Sequence, residues 1–318
     1  MAVVGFITAV GVSFAVAGIV YVLGPRLGVV DVPDKKLKTH SRPVTPLGGV
    51  AVLLGLHIGL AVAGAFDVAL LVATILVWVV GLIDDLRGLS PPTRLLGAAL
   101  AGFLLAILSD LPDGLLFPIF WVVVTVLVVN SVNLLDGLDG LAGSVAVISL
   151  LGLWWFGWDQ GLVGPHFYLI SIGAILGFLY WNWTPARLFL GDNGAYVIGV
   201  TLTWAALRAS PDGTASLVAV AIIGVPILEL MITMTRRLLV RKPLMSGDRD
   251  HTYDRLHRSG ISTSSVVAIF VAAQIIWLLV IVWVAIAAGD LAALITAVLL
   301  GAGVVAVASF RLKTEQSG

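Results

Sequence analysis

Long apolar runs alternate with short polar breaks along the whole chain, and this pattern decides what the chain can fold into. Of the 318 residues, 59% are hydrophobic and only 11% are charged, and the mean hydropathy is +1.09. Soluble domains carry about 25% charged residues, so a polytopic membrane protein without a soluble domain is expected. Because a helix crosses a bilayer with about 20 apolar residues, the runs predict an all-α fold. One transmembrane domain is expected over residues 1–318.

Charges, prolines and glycines separate eleven of these runs. Only Ala287 to Asp290 divides the last two, so ten spans is the other count. The first run has no basic segment before it and is too long for a signal peptide, so we expect it to be retained as a span. The runs are roughly 3–23, 47–65, 68–83, 94–109, 115–132, 138–156, 167–181, 194–208, 215–235, 264–286 and 291–310.

Basic residues fall on one side of the expected membrane. With the N-terminus outside, Arg208 is the one basic residue on the outer side, which leaves 17 of the 18 Lys and Arg residues in cytoplasmic segments. Cytoplasmic loops of membrane proteins are enriched in Lys and Arg, so this orientation is predicted, with one long cytoplasmic loop at about 236–263. The chain has no cysteine, which excludes disulfides and thiolate metal sites.

The same orientation brings six aspartates to the cytoplasmic ends of the runs. A carboxylate at the membrane rim is costly unless a cation or water meets it, so acids collected there indicate a functional site. A transporter would instead be expected to place acids near mid-span and to show repeated halves, and neither pattern is visible. The six are Asp84, Asp85, Asp136, Asp139, Asp192 and Asp248.

The first two aspartates are adjacent at the end of the third run. On a helix their side chains diverge by about 100°, so one of them is suited to a cation and the other to a different partner. Arg94 follows nine residues after Asp85 and is a candidate phosphate ligand.

A second polar cluster steps by three residues. Asn130, Asn133, Asp136 and Asp139 would form one polar stripe on a helix. If the helix instead breaks at Gly137, Asp139 joins a loop.

The remaining polar segments each allow two interpretations. Asp192 lies between glycines at a helix start, after Asn182, and could either ligate a metal or cap the helix. The basic loop that holds His40, and the later loop with Arg249, His251 and Arg255, are either topology anchors and lipid-headgroup patches or phosphate-binding surfaces. Oxygen ligands beside expected phosphates favour Mg²⁺, with Mn²⁺ as a substitute.

These segments together resemble the polyprenyl-phosphate N-acetylhexosamine-1-phosphate transferases, or glycosyltransferase family 4. The resemblance runs in order from about residue 31 to 260 and rests on Asp84-Asp85, Asn133-Leu-Leu-Asp136-Gly-Leu-Asp139-Gly, Pro185-Ala…Phe189-Leu-Gly-Asp192 and Asp248-Arg-Asp-His251. It implies ten or eleven transmembrane helices and a cytoplasmic active site. Polyprenyl phosphate would attack a UDP-sugar there and release UMP.

The resemblance also implies roles for individual residues. Asp84 and Asp85 match the family's essential aspartate pair, Asp192 its Mg²⁺ ligand, and His251 the first histidine of its late motif. The full expected site has three parts. These are catalytic Asp84, Asp85, Asp139 and His251; substrate-binding His40, Arg94, Asn130, Asn133, Asp136, Asn182, Arg249 and Arg255; and metal-binding Asp192, Asp85 and Asp136.

Departures from the family pattern bear on the donor sugar. The three-histidine run of the branch that uses UDP-MurNAc-pentapeptide is absent, and Tyr253 and Asp254 stand where the GlcNAc branch has two histidines. Glu229 stands where an aspartate is usual. The expected partners are therefore a UDP-N-acetylhexosamine, most simply UDP-GlcNAc, polyprenyl phosphate and the lipid bilayer of the cell membrane. A phospho-MurNAc-pentapeptide transferase is the alternative, no nucleic acid partner is expected, and a homodimer is compatible with the pattern.

Overall fold

Helices are the regular secondary structure of the described residues, which also include one isolated bridge between Asp31 and Val44. The computed structural model describes residues 1–32, 43–109, 114–159, 166–210, 213–245 and 249–315, with side chains up to 308. Its helices are α1 (Ala2–Arg26), α2 (Gly48–Val62), α3 (Val68–Arg87), α4 (Pro91–Ile107), α5 (Leu116–Leu135), α6 (Leu141–Asp159), α7 (His166–Asn182), α8 (Gly191–Arg208), α9 (Gly213–Ile222), α10 (Gly224–Leu239), α11 (Thr252–Arg258), α12 (Thr263–Ala288) and α13 (Asp290–Glu315).

The helices are those of a multi-pass membrane protein. Among the described residues, six helices are long and apolar enough to cross a membrane, and the bent pair α9 and α10 makes a seventh. Three shorter apolar helices, α2, α4 and α7, accompany them. Lipid offers no partner to backbone N–H and C=O groups, so a chain this apolar satisfies them within helices. The all-α prediction is confirmed, and the count of eleven spans stays a prediction.

The ninth apolar run is not one helix, which corrects the sequence-based expectation. Helix α9 ends at Ile222, α10 begins at Gly224, and their axes meet at 78°. Pro226 lies in the first turn of α10, where its missing N–H costs nothing, whereas a continuous helix would lose a bond there.

Two side chains from α12 satisfy the backbone groups that this break frees. Gln274 is fully buried, accepts from the Val225 N–H at 3.0 Å and donates to the Ile222 carbonyl at 2.7 Å. The Trp277 indole N–H donates to the carbonyl of Ala221 at 2.7 Å. The bend is therefore held by hydrogen bonds that a membrane interior requires.

Helix α8 is the central helix of the bundle. Every residue from Asn193 to Leu207 is buried, and the helix packs against α2, α3, α5 and α6. Gly81 of α3 lets α3 approach closely, because a Cβ there would lie 2.5 Å from the backbone of Asn193. This contact lies one helical turn before Asp85, so it brings the end of α3 onto the start of α8.

One end of the bundle collects the polar residues. Helices α3 and α5 finish there, and α4, α6 and α8 begin there. We call it the aspartate end and define it as residues 84–94, 133–141 and 182–194.

Candidate active site

Asp85 caps the start of α8 from a different helix. Its carboxylate accepts the backbone N–H groups of Asp192 and Asn193, each at 3.0 Å, and the Asn193 side-chain amide at 2.6 Å. The first N–H groups of a helix have no partner within it. A carboxylate accepts hydrogen bonds from them, and its negative charge interacts favourably with the helix dipole. Asp192 lies in the first turn of α8 and Leu190 is the N-cap residue, so the helix-capping alternative for Asp192 is wrong.

Asp84 points away from Asp85, as adjacent residues on a helix must. Its carboxylate accepts the Leu89 N–H at 2.8 Å and the Tyr196 hydroxyl at 3.0 Å, and the Arg94 Nε lies 2.7 Å away. Asp84 is 5% exposed, whereas Asp85 and Asp192 are partly exposed. Of the aspartate pair, Asp84 is therefore the buried member and Asp85 the accessible one.

The polar residues after α5 do not form a helical stripe. The helix ends at Leu135, two residues before Gly137, so Asp136 and Asp139 lie outside it. The single stripe is therefore wrong, and the other alternative, a break that puts Asp139 in a loop, is confirmed. Asn130 stays within α5, where its amide donates to the carbonyl of Val126.

The residues at the end of α5 face the start of α8. The Asn133 amide donates to the Asp192 carboxylate, and Asp136 lies close to the backbone of Gly191. Burial, together with the nearby charges of Asp192 and Asp85, raises the pKa of Asp136. The three predicted metal-binding residues therefore do come together.

Asp139 and Asn182 hold two loops of the aspartate end to each other. Asp139 accepts the Ala186 N–H at 2.9 Å, and Asn182 accepts the Gly140 N–H at 2.9 Å. The Asn182 amide also donates to the Leu188 carbonyl at 3.0 Å. Both side chains thus make backbone hydrogen bonds that set the loop conformation around Asp136 and Asp192.

His251 is held by α10. The Thr233 hydroxyl lies 3.1 Å from its Nδ1, and a Glu229 carboxylate oxygen lies 3.9 Å from the same atom. Glu229 also accepts the Thr252 N–H at 2.8 Å, and the Tyr253 ring stacks on the imidazole at 5.2 Å. His251 is 7% exposed, so its orientation is fixed by these neighbours.

An arginine cluster surrounds Asp250 just before α11. Arg255 forms a two-pronged ion pair with this carboxylate at 2.7 and 2.9 Å, and Arg258 and Arg236 lie 2.9 and 3.2 Å from it. Burial alone would raise the pKa of Asp250, but the bonds from Arg255 and the charge of Arg236 outweigh it and hold that pKa below its usual range. Arg249 contacts Asp254 and the Gly137 carbonyl instead. His40 and Asp248 lie outside the described residues.

The carboxylates of the aspartate end suit a hard divalent cation. The carboxyl groups of Asp84 and Asp192 lie within hydrogen-bonding reach of each other, and Asp85 is next to both. Such crowding of like charges requires a proton or a cation. Among the described residues, no three Asp, Glu or His side chains are arranged to hold a metal ion by themselves.

Sequence reasoning missed several residues that shape this site. Tyr196 follows Asp192 by four residues, so it lies on the same helix face, and that spacing was the available signal. Glu229 and Thr233 have the same spacing on α10. Asn193 gave no signal, because its partner Asp85 lies 108 residues away in the sequence. Asp250 lies within the Asp248-Arg-Asp-His251 segment, but its pairing with Arg255 and Arg258 was not expected.

Comparison with known proteins identifies the family of this chain. Residues 68–210 match the family described as glycosyl transferase family 4. The chain is 30% identical to decaprenyl-phosphate N-acetylglucosaminephosphotransferase of Mycobacterium tuberculosis (strain CDC 1551 / Oshkosh), in an alignment that covers 96% of this chain and 87% of the relative.

Two further relatives carry related names. One is the undecaprenyl-phosphate alpha-N-acetylglucosaminyl 1-phosphate transferase of Thermotoga maritima (strain ATCC 43589 / DSM 3109 / JCM 10099 / NBRC 100826 / MSB8), at 30% identity over 76% of this chain and 77% of the relative. The other is the probable undecaprenyl-phosphate N-acetylglucosaminyl 1-phosphate transferase of Bacillus subtilis (strain 168), at 28% identity over 82% and 78%. The resemblance read from the motifs is confirmed, and the chain belongs to glycosyl transferase family 4.

Proposed function

We propose that this protein transfers N-acetylglucosamine 1-phosphate from UDP-GlcNAc to a polyprenyl phosphate. A phosphate oxygen of the lipid attacks the β-phosphorus of the donor, and the bond from that phosphorus to the bridging oxygen breaks. UMP leaves with that oxygen, and the lipid keeps a diphosphate-linked sugar. The observation that carries the proposal is the convergence of Asp85, Asp136 and Asp192, with Asn133, at one end of a membrane bundle whose relatives are named for this transfer.

The aspartate end is proposed to face the cytoplasm. The distribution of Lys and Arg supports this, since it puts 17 of the 18 basic residues on that side and the N-terminus outside. Eleven spans, with α9 and α10 counted as one, are consistent with that orientation. The chain acts as one catalytic domain over residues 1–318, and a nucleotide donor would reach the site from the cytoplasm while the lipid arrives through the bilayer.

Asp192 and Asp136 are the residues proposed to hold Mg²⁺, with Asp85 beside them. Both carboxylates are partly exposed, and Asp192 is oriented by the Asn133 amide. When bound, Mg²⁺ or Mn²⁺ neutralises diphosphate charge that would repel an incoming phosphate. Asp85 fixes the start of α8, which carries Asp192, so its first proposed role is to position Asp192.

The chain's own cations are proposed to bind the donor. Arg249 contacts the 136–139 loop through the Gly137 carbonyl, and Arg255 lies on the same segment. Guanidinium groups make paired hydrogen bonds to phosphate oxygens. His251, fixed by α10 and Tyr253, would face the same diphosphate. Arg94 forms an ion pair with Asp84 through its Nε, so its proposed role in binding phosphate would use its Nη groups.

The test is UMP release by the purified protein. Reactions would contain Mg²⁺, undecaprenyl or decaprenyl phosphate, and one of UDP-GlcNAc, UDP-GalNAc or UDP-MurNAc-pentapeptide. The proposal expects release to be fastest with UDP-GlcNAc and to require the lipid. Preference for the MurNAc-pentapeptide donor would make the protein a peptidoglycan-precursor transferase instead, whereas no lipid-dependent release with any donor would refute the reaction class.

A further inference from the structure

Tyr253 is buried against the loop that carries Asp136, although it lies on a different segment. The side chain is 2% exposed, and its hydroxyl donates to the Leu134 carbonyl at 2.9 Å. Leu134 belongs to the last turn of α5, whose carbonyls have no partner within the helix. The hydroxyl therefore supplies a hydrogen bond that the helix end lacks.

A second contact joins the same two segments. Arg249 Nη1 donates to the Gly137 carbonyl at 3.0 Å. The two accepting residues, Leu134 and Gly137, flank Asp136 in sequence. The segment containing α11 thus holds the backbone on both sides of the predicted metal ligand.

The packing at Gly137 is close enough to exclude any side chain. A Cβ at Gly137 would lie 2.1 Å from the Tyr253 hydroxyl oxygen and 2.8 Å from the ring carbon that bears it. Gly137 is therefore matched to a tyrosine at position 253. The tyrosine ring also stacks on His251 at 5.2 Å, which ties the same side chain to the histidine proposed to bind the donor.

We propose that Tyr253 is a positioning residue that holds Asp136 in its productive place and couples α11 to the metal side of the site. This inference rests on the proposed function. It also gives a physical meaning to a position that departs from the family pattern: the tyrosine reaches across to α5, and the glycine opposite leaves room for it.

The test compares Tyr253→Phe with Tyr168→Phe. Both variants keep the aromatic ring and lose one buried hydroxyl that donates to a backbone carbonyl. The Tyr168 hydroxyl donates to the Ala205 carbonyl at a distance of 3.0 Å, and this bond does not involve the aspartate end. Tyr253→Phe should speed hydrogen–deuterium exchange in residues 134–140. It should also raise the Mg²⁺ concentration for half-maximal activity about three- to tenfold, while the KM for polyprenyl phosphate stays constant. Tyr168→Phe should change neither quantity.

The hydrogen–deuterium exchange measurement tests whether Tyr253 stabilises residues 134–140, and it does so whether or not the enzyme turns over. Unchanged exchange at 134–140 in Tyr253→Phe would overturn the proposal. Faster exchange with an unchanged Mg²⁺ requirement would also overturn it, because the contact would then be structural only. If the wild-type protein shows no lipid-dependent UMP release, the proposed function fails, and the exchange data still report on the contact.

Gly137→Ala provides a second, independent test of the contact between Gly137 and Tyr253. In the wild-type background the added methyl group should displace Tyr253 and reproduce or exceed the effect of Tyr253→Phe. In a Tyr253→Ala background the methyl group has space. The fold-loss of activity caused by Gly137→Ala should therefore be at least threefold smaller there than in the wild-type background. Equal losses in the two backgrounds would show that Gly137 and Tyr253 are not coupled.

Discussion

Replacing Asp85 by asparagine tests whether this carboxylate places the start of α8. Asparagine keeps one acceptor oxygen but puts an amide group where the second oxygen accepts from the Asn193 N–H and the Asn193 side chain. Two of the three hydrogen bonds should therefore be lost. Hydrogen bonds to a charged group contribute about 1.5–3 kcal/mol each, and because Asp85 is partly exposed, water recovers some of this.

The expected net loss is about 3 kcal/mol, near the lower end of the range for two such bonds. If these bonds place Asp192 for catalysis, that loss corresponds to roughly a hundredfold lower kcat, since about 1.4 kcal/mol is a tenfold change in rate. UMP release under saturating substrates measures it. Thermal midpoints compared at one scan rate in detergent measure the structural part, because unfolding of such a protein is commonly irreversible.

Asp67→Asn is the matched control. Asp67 caps the start of α3 at the opposite end of the bundle by accepting the Leu70 N–H at 2.9 Å, and asparagine caps about as well as aspartate. It should leave both the rate and the midpoint nearly unchanged. If Asp85→Asn keeps more than about a tenth of the activity with an unaltered midpoint, Asp85 does not position α8. A higher Mg²⁺ requirement with an unaltered midpoint would instead identify Asp85 as a direct metal ligand.

Three other outcomes are expected. Asp192→Asn should abolish UMP release in protein that keeps the wild-type thermal midpoint, because a metal ligand is lost; near-normal release would contradict its assignment. Removal of divalent cations with a chelator should stop turnover, Mg²⁺ should restore it and Mn²⁺ should substitute in part, whereas full activity in the chelator would exclude a metal requirement. Gln274→Leu should lower the thermal midpoint, since two backbone groups at the α9–α10 break lose their partner at about 1–3 kcal/mol each. Thr296→Val, which removes a bond within α13 to Ala292, is its control, and equal midpoints for the two variants would argue against the proposed role of Gln274.

The helices and their grouping could be predicted because a bilayer leaves an apolar chain few choices. Each predicted run contains a helix, since backbone groups in lipid must pair within the segment. Alternation of the spans predicted that Asp85, Asp136 and Asp192 share one side of the membrane, and the family resemblance implied that they belong to one site. The long-range contacts did not follow, because local sequence holds no record of them. Asp85 caps a helix that starts more than a hundred residues later, and the α9–α10 bend depends on Gln274 from another helix.

Those unpredicted contacts share a physical origin. A helix end or a break in a helix leaves backbone groups without partners in their own helix, and where these groups are packed inside the bundle a polar side chain from elsewhere in the chain meets them. Asp85 at the start of α8, Gln274 at the bend and Tyr253 at the end of α5 each do this. Two of the three meet backbone next to a predicted metal ligand. In this protein, the same hydrogen bonds therefore stabilise the fold and position the carboxylates. Substitutions at Asp85 or Tyr253 should displace Asp192 or Asp136 and also lower the stability of the fold.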